Sequence, residues 1–425
     1  MSKKISGGLA LLALFCLCAG SFLPHGQAQT AAPGAAQHAA IVSTTAAVLK
    51  ETSELRELSI LKAVKSGAQS RADIERMIVR NLDAETTPEE MHAAEALLRA
   101  FGLAPNEFAY RSFLIKLLTE QVAGYYDPKA QQFYLADWIE LEGQKPVMAH
   151  ELTHALQDQH FNLKRFEKWP KGDSDAELAA HALIEGDATL AMTLYMARNP
   201  LVALAFIRSL GSQEIASEQF KQAPRALRES LLFPYEEGSA WATQLYKRGG
   251  WEMVSQAFKK LPQSSEQILH AEKYFSYEAP QKLSLPDFKR ALGPSWKRID
   301  YDVNGEWGYY LVLDEFLNDA TESKQAAAGW GGDRFALYET RKPGKIFIAQ
   351  LTAWDTPQDA KEFFDAYAKR TSKRYGAAPS VQKEDRVEWK TAAGGVTMEL
   401  RGSRVAILEG IPAKAKAKKL LRRIW

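Results

Sequence analysis

Five consecutive residues, His150-Glu151-Leu152-Thr153-His154, set two imidazoles four positions apart with a carboxylate between them. On a helix of 3.6 residues per turn His150 stacks over His154, so that one ring nitrogen from each can grip a zinc ion. Glu151 leans to the side of that line, where it is placed to act on a metal-bound water. Catalytic zinc keeps three protein ligands and one open position, so a third His, Glu or Asp has to arrive from elsewhere in the fold. The best candidate is Glu185. Glu177, His181 and Glu185 fall at four-residue steps along an Ala- and Leu-rich stretch, 173–197. Three such groups on one helical face are costly to bury without something to pair with them, and a metal would do so. His181 is the alternative third ligand.

This arrangement resembles the gluzincin branch of the zinc metallopeptidases, whose third ligand is a glutamate on a second helix packed beside the first. The resemblance covers roughly residues 120–190 and rests on a short motif. It implies that His150, His154 and Glu185 bind Zn2+, that Glu151 is the general base, and that the substrate is a peptide or protein. Many gluzincins carry an aspartate four residues after the third ligand to orient a histidine. Here that position is Thr189, which leaves Asp187 and Asp158 as candidates for the supporting role. The resemblance also implies that the strand just before the metal helix is an exposed sheet edge for an extended peptide. Residues 122–129 and 132–137 read as two aromatic-rich strands around an Asp-Pro turn, in the right order for it. Amide hydrolysis further calls for a donor to the developing oxyanion, and His270 and Tyr274, four apart within 264–274, are the candidates.

The elements that must position these groups follow from periodicity. The histidine helix is expected over 146–160, with Pro146 in its first turn and Val147, Met148, Leu152, Ala155 and Leu156 as its apolar stripe. Helical patterns dominate from about Thr44 to Leu118. Asn199-Pro200 divides the third-ligand helix, 173–197, from a second helix over 201–210, both expected to be buried, and Phe233-Pro234-Tyr235 is expected to open another. From about Lys297 the texture changes to strands: 335–339 and 346–351 across the turn 342–345, then 387–389, 396–400 and 405–408, with a helix over 357–370. The fold class is thus α+β. A mainly helical, zincin-like catalytic domain with a small sheet is expected over 44–290, and a C-terminal α+β domain without evident chemistry over 297–425.

Composition frames the rest. Lys3 and Lys4 precede the apolar run Leu9 to Leu17, and Gly26-Gln27-Ala28 supplies small residues for cleavage, so residues 1–28 read as a secretory signal and 29–43 as a linker. The expectation is a secreted or periplasmic protein. The apolar run is short for a membrane span, and the bulky Phe15 and Leu17 argue against a lipid anchor at Cys16 or Cys18. Cleavage near Ala28 removes both cysteines and two of the 54 basic residues, leaving 52 basic against 52 acidic. The mature chain is then free of thiols, any zinc falls to His and carboxylate, and the neutral balance argues against nucleic acid as a partner. The basic run 414–423 reads as a solvated helix face. No feature of the sequence indicates an oligomeric state.

Overall fold

The computed structural model describes residues 35–425 apart from 139, 170, 212–217 and 342–343. The expected signal sequence, its cleavage site and the first part of the expected linker lie outside the described residues, as does half of the expected turn at 342–345. The fold is α+β. A helix, Ala35–Arg56, already occupies the second part of the segment read as a linker. Its alanines are as good for a helix as for a linker, and Ile41, Thr45, Val48, Leu49, Thr52 and Leu55 recur at three- and four-residue steps to bury one face.

A small sheet follows, built from β1 (Lys65–Gln69), β2 (Gly124–Asp127) and β3 (Gln132–Ala136) in the order β1-β3-β2. The expected hairpin forms, with Asp127 Oδ1 accepting from the Lys129 and Ala130 amides to shape its turn. β1 falls in a stretch read as helical; it pairs in parallel with β3, which therefore has neighbours on both sides. The strand immediately before the histidine helix is not an open edge, contrary to the expectation from the resemblance, because its backbone groups are spent on β1 and β2.

The histidine helix spans Leu141–Phe161, five residues earlier than expected, which puts Pro146 in its second turn. Every residue from Pro146 to Asp158 is buried. A helix covered on all sides must be packed by several partners, and Ala35–Arg56, Ser174–Arg198 and Pro200–Gly211 supply them. Ser174–Arg198, the glutamate helix, is capped by the Asp173 carboxylate, which accepts from the Ala176 amide. It crosses the long helical stretch Arg225–Ala257, which is kinked by non-helical backbone at Gly249 and Gly250, at a very close approach. A Cβ at Gly186 would stand 2.2 Å from the Gly238 carbonyl oxygen, and one at Gly238 would stand 2.3 Å from that of Ala182. Only glycine at both positions lets the two backbones meet. Pro234 lies inside the long helix rather than at its start.

Pro200–Gly211 departs from the expected burial. Leu201, Leu204 and Ile207 are exposed, because this helix meets the histidine helix on one side only while its sequence is apolar all round. Among the described residues no single helix is long and apolar enough to cross a membrane. Only the pair Ser174–Arg198 and Pro200–Ser209, bent by 114°, reaches that length and apolarity together.

The C-terminal half holds a seven-stranded antiparallel sheet: β4 (Trp296–Asp302), β5 (Trp330–Thr340), β6 (Ile346–Trp354), β7 (Val381–Gln382), β8 (Arg386–Thr391), β9 (Gly394–Arg401) and β10 (Arg404–Ile411), in the order β4-β5-β6-β10-β9-β8-β7. Helix Pro357–Tyr375 covers one face, and Leu420 and Leu421 of Ala417–Ile424 pack on the other. The basic run thus keeps its leucines in the core. Leu97 and Phe101 from the helical half share one apolar cluster with Trp307 and Phe335, and the two halves meet through it.

Candidate metal centre

Three donor atoms converge where the histidine and glutamate helices pack. His150 Nε2 and His154 Nε2 are 3.1 Å apart, and Glu185 Oε2 lies 3.1 Å from the first and 3.3 Å from the second. All three residues are buried, His150 and Glu185 to 1% and 2% exposure. Glu151 offers a carboxylate oxygen within 4.8 Å of both imidazoles.

The hydrogen bonds around the cluster fix which atoms carry protons. Gln157 Nε2 donates to the Ile184 carbonyl at 3.0 Å and to Asp187 Oδ2 at 2.9 Å, two acceptors, so its Oε1 has to face His154. That oxygen lies 2.8 Å from His154 Nδ1, which therefore carries hydrogen and leaves Nε2 as the metal-competent nitrogen of a neutral ring. Two imidazole nitrogens and a carboxylate oxygen then face one another with nothing apolar between them. A proton or a metal cation at their centre would satisfy all three. For a proton the consequence is visible in His154. Burial disfavours its charge, but the Glu185 carboxylate, followed by Glu151, outweighs burial and lifts the imidazole to about 9. Burial likewise opposes a charge on Glu185, and His154 and His150 reverse this, holding its carboxyl well below the ordinary range.

A metal ion fits the same place. Ligands bound at 2.0–2.1 Å in a tetrahedron stand about 3.3–3.4 Å apart, close to the triangle formed here. The buried group His150, Glu151 and His154 is able to hold a metal ion, and Glu185 Oε2 stands beside the same two imidazole nitrogens.

The surrounding groups separate into distinct roles. The Tyr126 amide of β2 donates to Glu151 Oε2 at 2.9 Å and so anchors the carboxylate beside the imidazoles. The Tyr235 ring from the long helix lies along His150, with centroids 6.1 Å apart and planes 29° apart. Asp187 reaches His154 only through Gln157. Two residues beyond Glu185, it is rotated by about 200° and faces away from the cluster. Asp158 does not support either histidine; it accepts from the Tyr126 hydroxyl at 3.1 Å and the Leu163 amide at 3.0 Å. His181, the alternative ligand, is outside the triangle of donors, and burial depresses its imidazole to about 4.

His270 and Tyr274 are not brought to the cluster. His270 Nε2 is 2.8 Å from Glu306 Oε1, and the Tyr274 hydroxyl donates to the Lys260 carbonyl at 2.8 Å beneath Trp241. Both belong to the packing of short helices near Asp175, at the N-terminal end of the glutamate helix, whereas Glu185 lies at its middle. The residues that sequence reasoning missed are Gln157, Tyr235, the Tyr126 amide and Arg56. Only Gln157 had a local signal, since it follows His154 by three and shares its face.

Comparison with known proteins bears on a different part of the chain. Residues 291–421 match a domain of unknown function, DUF8575, which covers the seven-stranded sheet and lies outside the donor cluster. No curated protein and no solved structure matches the chain.

Proposed function

We propose that the chain is a zinc-dependent metallopeptidase of the gluzincin kind, with a peptide or protein substrate met after export. The observation that carries this reading is the convergence of His150 Nε2, His154 Nε2 and Glu185 Oε2 to within 3.1–3.3 Å beside Glu151. An N2O donor set suits zinc, which when bound polarises a scissile carbonyl and lowers the pKa of a coordinated water. Gln157 keeps the His154 proton on Nδ1, so that Nε2 offers its lone pair inward. Glu151, anchored through Oε2 by the Tyr126 amide, accepts a proton from water and passes it to the leaving amine. Tyr235, alongside His150, takes the place of His270 and Tyr274 as the candidate donor to the carbonyl oxygen.

The depth of the centre supports a second reading, a zinc-binding protein without turnover, in which burial serves folding rather than chemistry. One experiment separates the two: zinc content and hydrolysis of casein or a quenched peptide, for the purified protein and for Glu151→Gln. On the peptidase reading both bind zinc and the variant loses about 10²–10⁴-fold in turnover. Zinc in both proteins with no cleavage by either selects the second reading, and absence of metal from both overturns the centre itself.

A further inference from the structure

Helix Ala35–Arg56 precedes the catalytic elements in the chain, where an inhibitory or removable segment would also stand. Its last residue points elsewhere. Arg56 is fully buried and grips both carboxylate oxygens of Asp187, with Nη2 3.2 Å from Oδ2. Its guanidinium stacks 4.4 Å over Trp251 and donates to Ser255 Oγ at 3.1 Å. Among the described residues no other cation is paired with Asp187. Without Arg56 a carboxylate at 0% exposure would be left with the neutral amide of Gln157 alone.

We propose that Arg56 is a positioning residue for the metal centre, acting through Asp187 and Gln157 on His154. The proposal rests on the reading of His150, His154 and Glu185 as metal ligands. Four links form the relay. Arg56 grips both Asp187 carboxylate oxygens and fixes them; Asp187 Oδ2, together with the Ile184 carbonyl, accepts from Gln157 Nε2; this turns Gln157 Oε1 toward His154; and His154 Nδ1 donates to it. Each link is charge-assisted or has a single allowed orientation, so a loosened Arg56 leaves Gln157 Nε2 held by the Ile184 carbonyl alone and gives the amide and the imidazole room to tilt. A glutamine and an arginine from another helix thereby do the work that one aspartate does in the resembling family, where this chain has Thr189. It follows that the N-terminal helix is part of the centre and stays with the active protein.

The test is competition for zinc against a chromophoric chelator, together with the visible spectrum of the cobalt-loaded protein, for the full chain and three variants. Arg56→Met is expected to weaken zinc by about 10–100-fold and to alter the cobalt bands. Arg56→Met/Asp187→Asn, in which the buried charge is gone and the new side-chain amide still has a carbonyl oxygen to accept from Gln157, recovers most of that loss. Val48→Ala, a buried truncation in the same helix two turns from Arg56, lowers stability but leaves both metal readouts as in wild type. Wild-type zinc affinity in Arg56→Met overturns the relay, as does an equal loss in Val48→Ala or no recovery in the double variant. If the unaltered protein binds neither zinc nor cobalt, the metal-centre reading has failed, and the relay has nothing to position.

Discussion

Gly186→Ala tests how the two halves of the centre are held in register. The added methyl group would stand 2.2 Å from the Gly238 carbonyl oxygen and 2.3 Å from its carbon, both backbone atoms that cannot swing aside. Carbon atoms tolerate nothing under about 3 Å in such a contact, so the glutamate helix and the long helix have to part by roughly 1 Å. Overpacking of this kind costs about 1–3 kcal/mol in folding stability. The chemical consequence is larger, because Glu185 and Asp187 flank the substituted residue. Glu185 Oε2 would lose its place 3.1 and 3.3 Å from the two imidazoles, and Asp187 its contact with Gln157. On the proposed peptidase reading, a displacement of about 1 Å in a metal ligand is worth roughly 10²-fold in rate. Guanidinium unfolding, chelator competition for zinc and peptide hydrolysis should therefore all report a loss, with hydrolysis falling furthest. Gly395→Ala in β9, where the nearest atom is 3.5 Å away, is the control and should stay within about 0.5 kcal/mol of wild type. A Gly186→Ala protein with unchanged stability and zinc affinity would refute the argument that this close crossing sets the donor triangle.

Three other outcomes follow from the electrostatics. On the proposed zinc reading, because Glu185 overcomes burial and lifts His154 to about 9, a zinc ion entering at pH 7.5 would displace a proton; calorimetry in buffers of different ionisation enthalpy should find close to one proton or more released per zinc, with affinity rising up to about pH 9. Binding without proton release would contradict the pairing. His181 is pushed by burial to about 4 from an ordinary 6.5, so the unfolded chain takes up a proton that the folded one refuses, and stability is lost as pH falls from 6.5 to 4, by up to about 3 kcal/mol. His181→Phe should flatten that slope in urea titrations of the zinc-free protein, and an unchanged slope would point to another group. In the C-terminal half, Glu409 is buried against Arg370 and Arg374 and accepts from Tyr367 and Tyr375. Glu409→Ala strands the guanidinium of Arg370 at 0% exposure and should cost about 3–5 kcal/mol by denaturant unfolding, a loss under 1 kcal/mol being incompatible with that account.

What was legible in the sequence shares one property: it is settled within a single helix. Two histidines four apart have to share a face wherever the helix goes, and Glu185 had to lie on the face of an Ala-rich helix that needed a polar partner. Gln157 was legible in the same sense, three residues past His154, but the resemblance implies a carboxylate in the supporting role, for which Asp187 and Asp158 are the candidates, and not an amide. Features set by packing between elements were not legible. β1 has neither alternation nor helical period; it is a strand because β3, 67 residues later by register, offers it a parallel edge. Arg56 lies 131 residues from the aspartate it neutralises, and no local pattern links them. His270 and Tyr274 show the converse: the right residue types at helical spacing, each already committed to Glu306 and Lys260 in a corner away from the donors. Residue type and spacing therefore identify groups able to do chemistry, whereas Gly186 and Gly238, which carry none, decide through helix contact which of those groups meet.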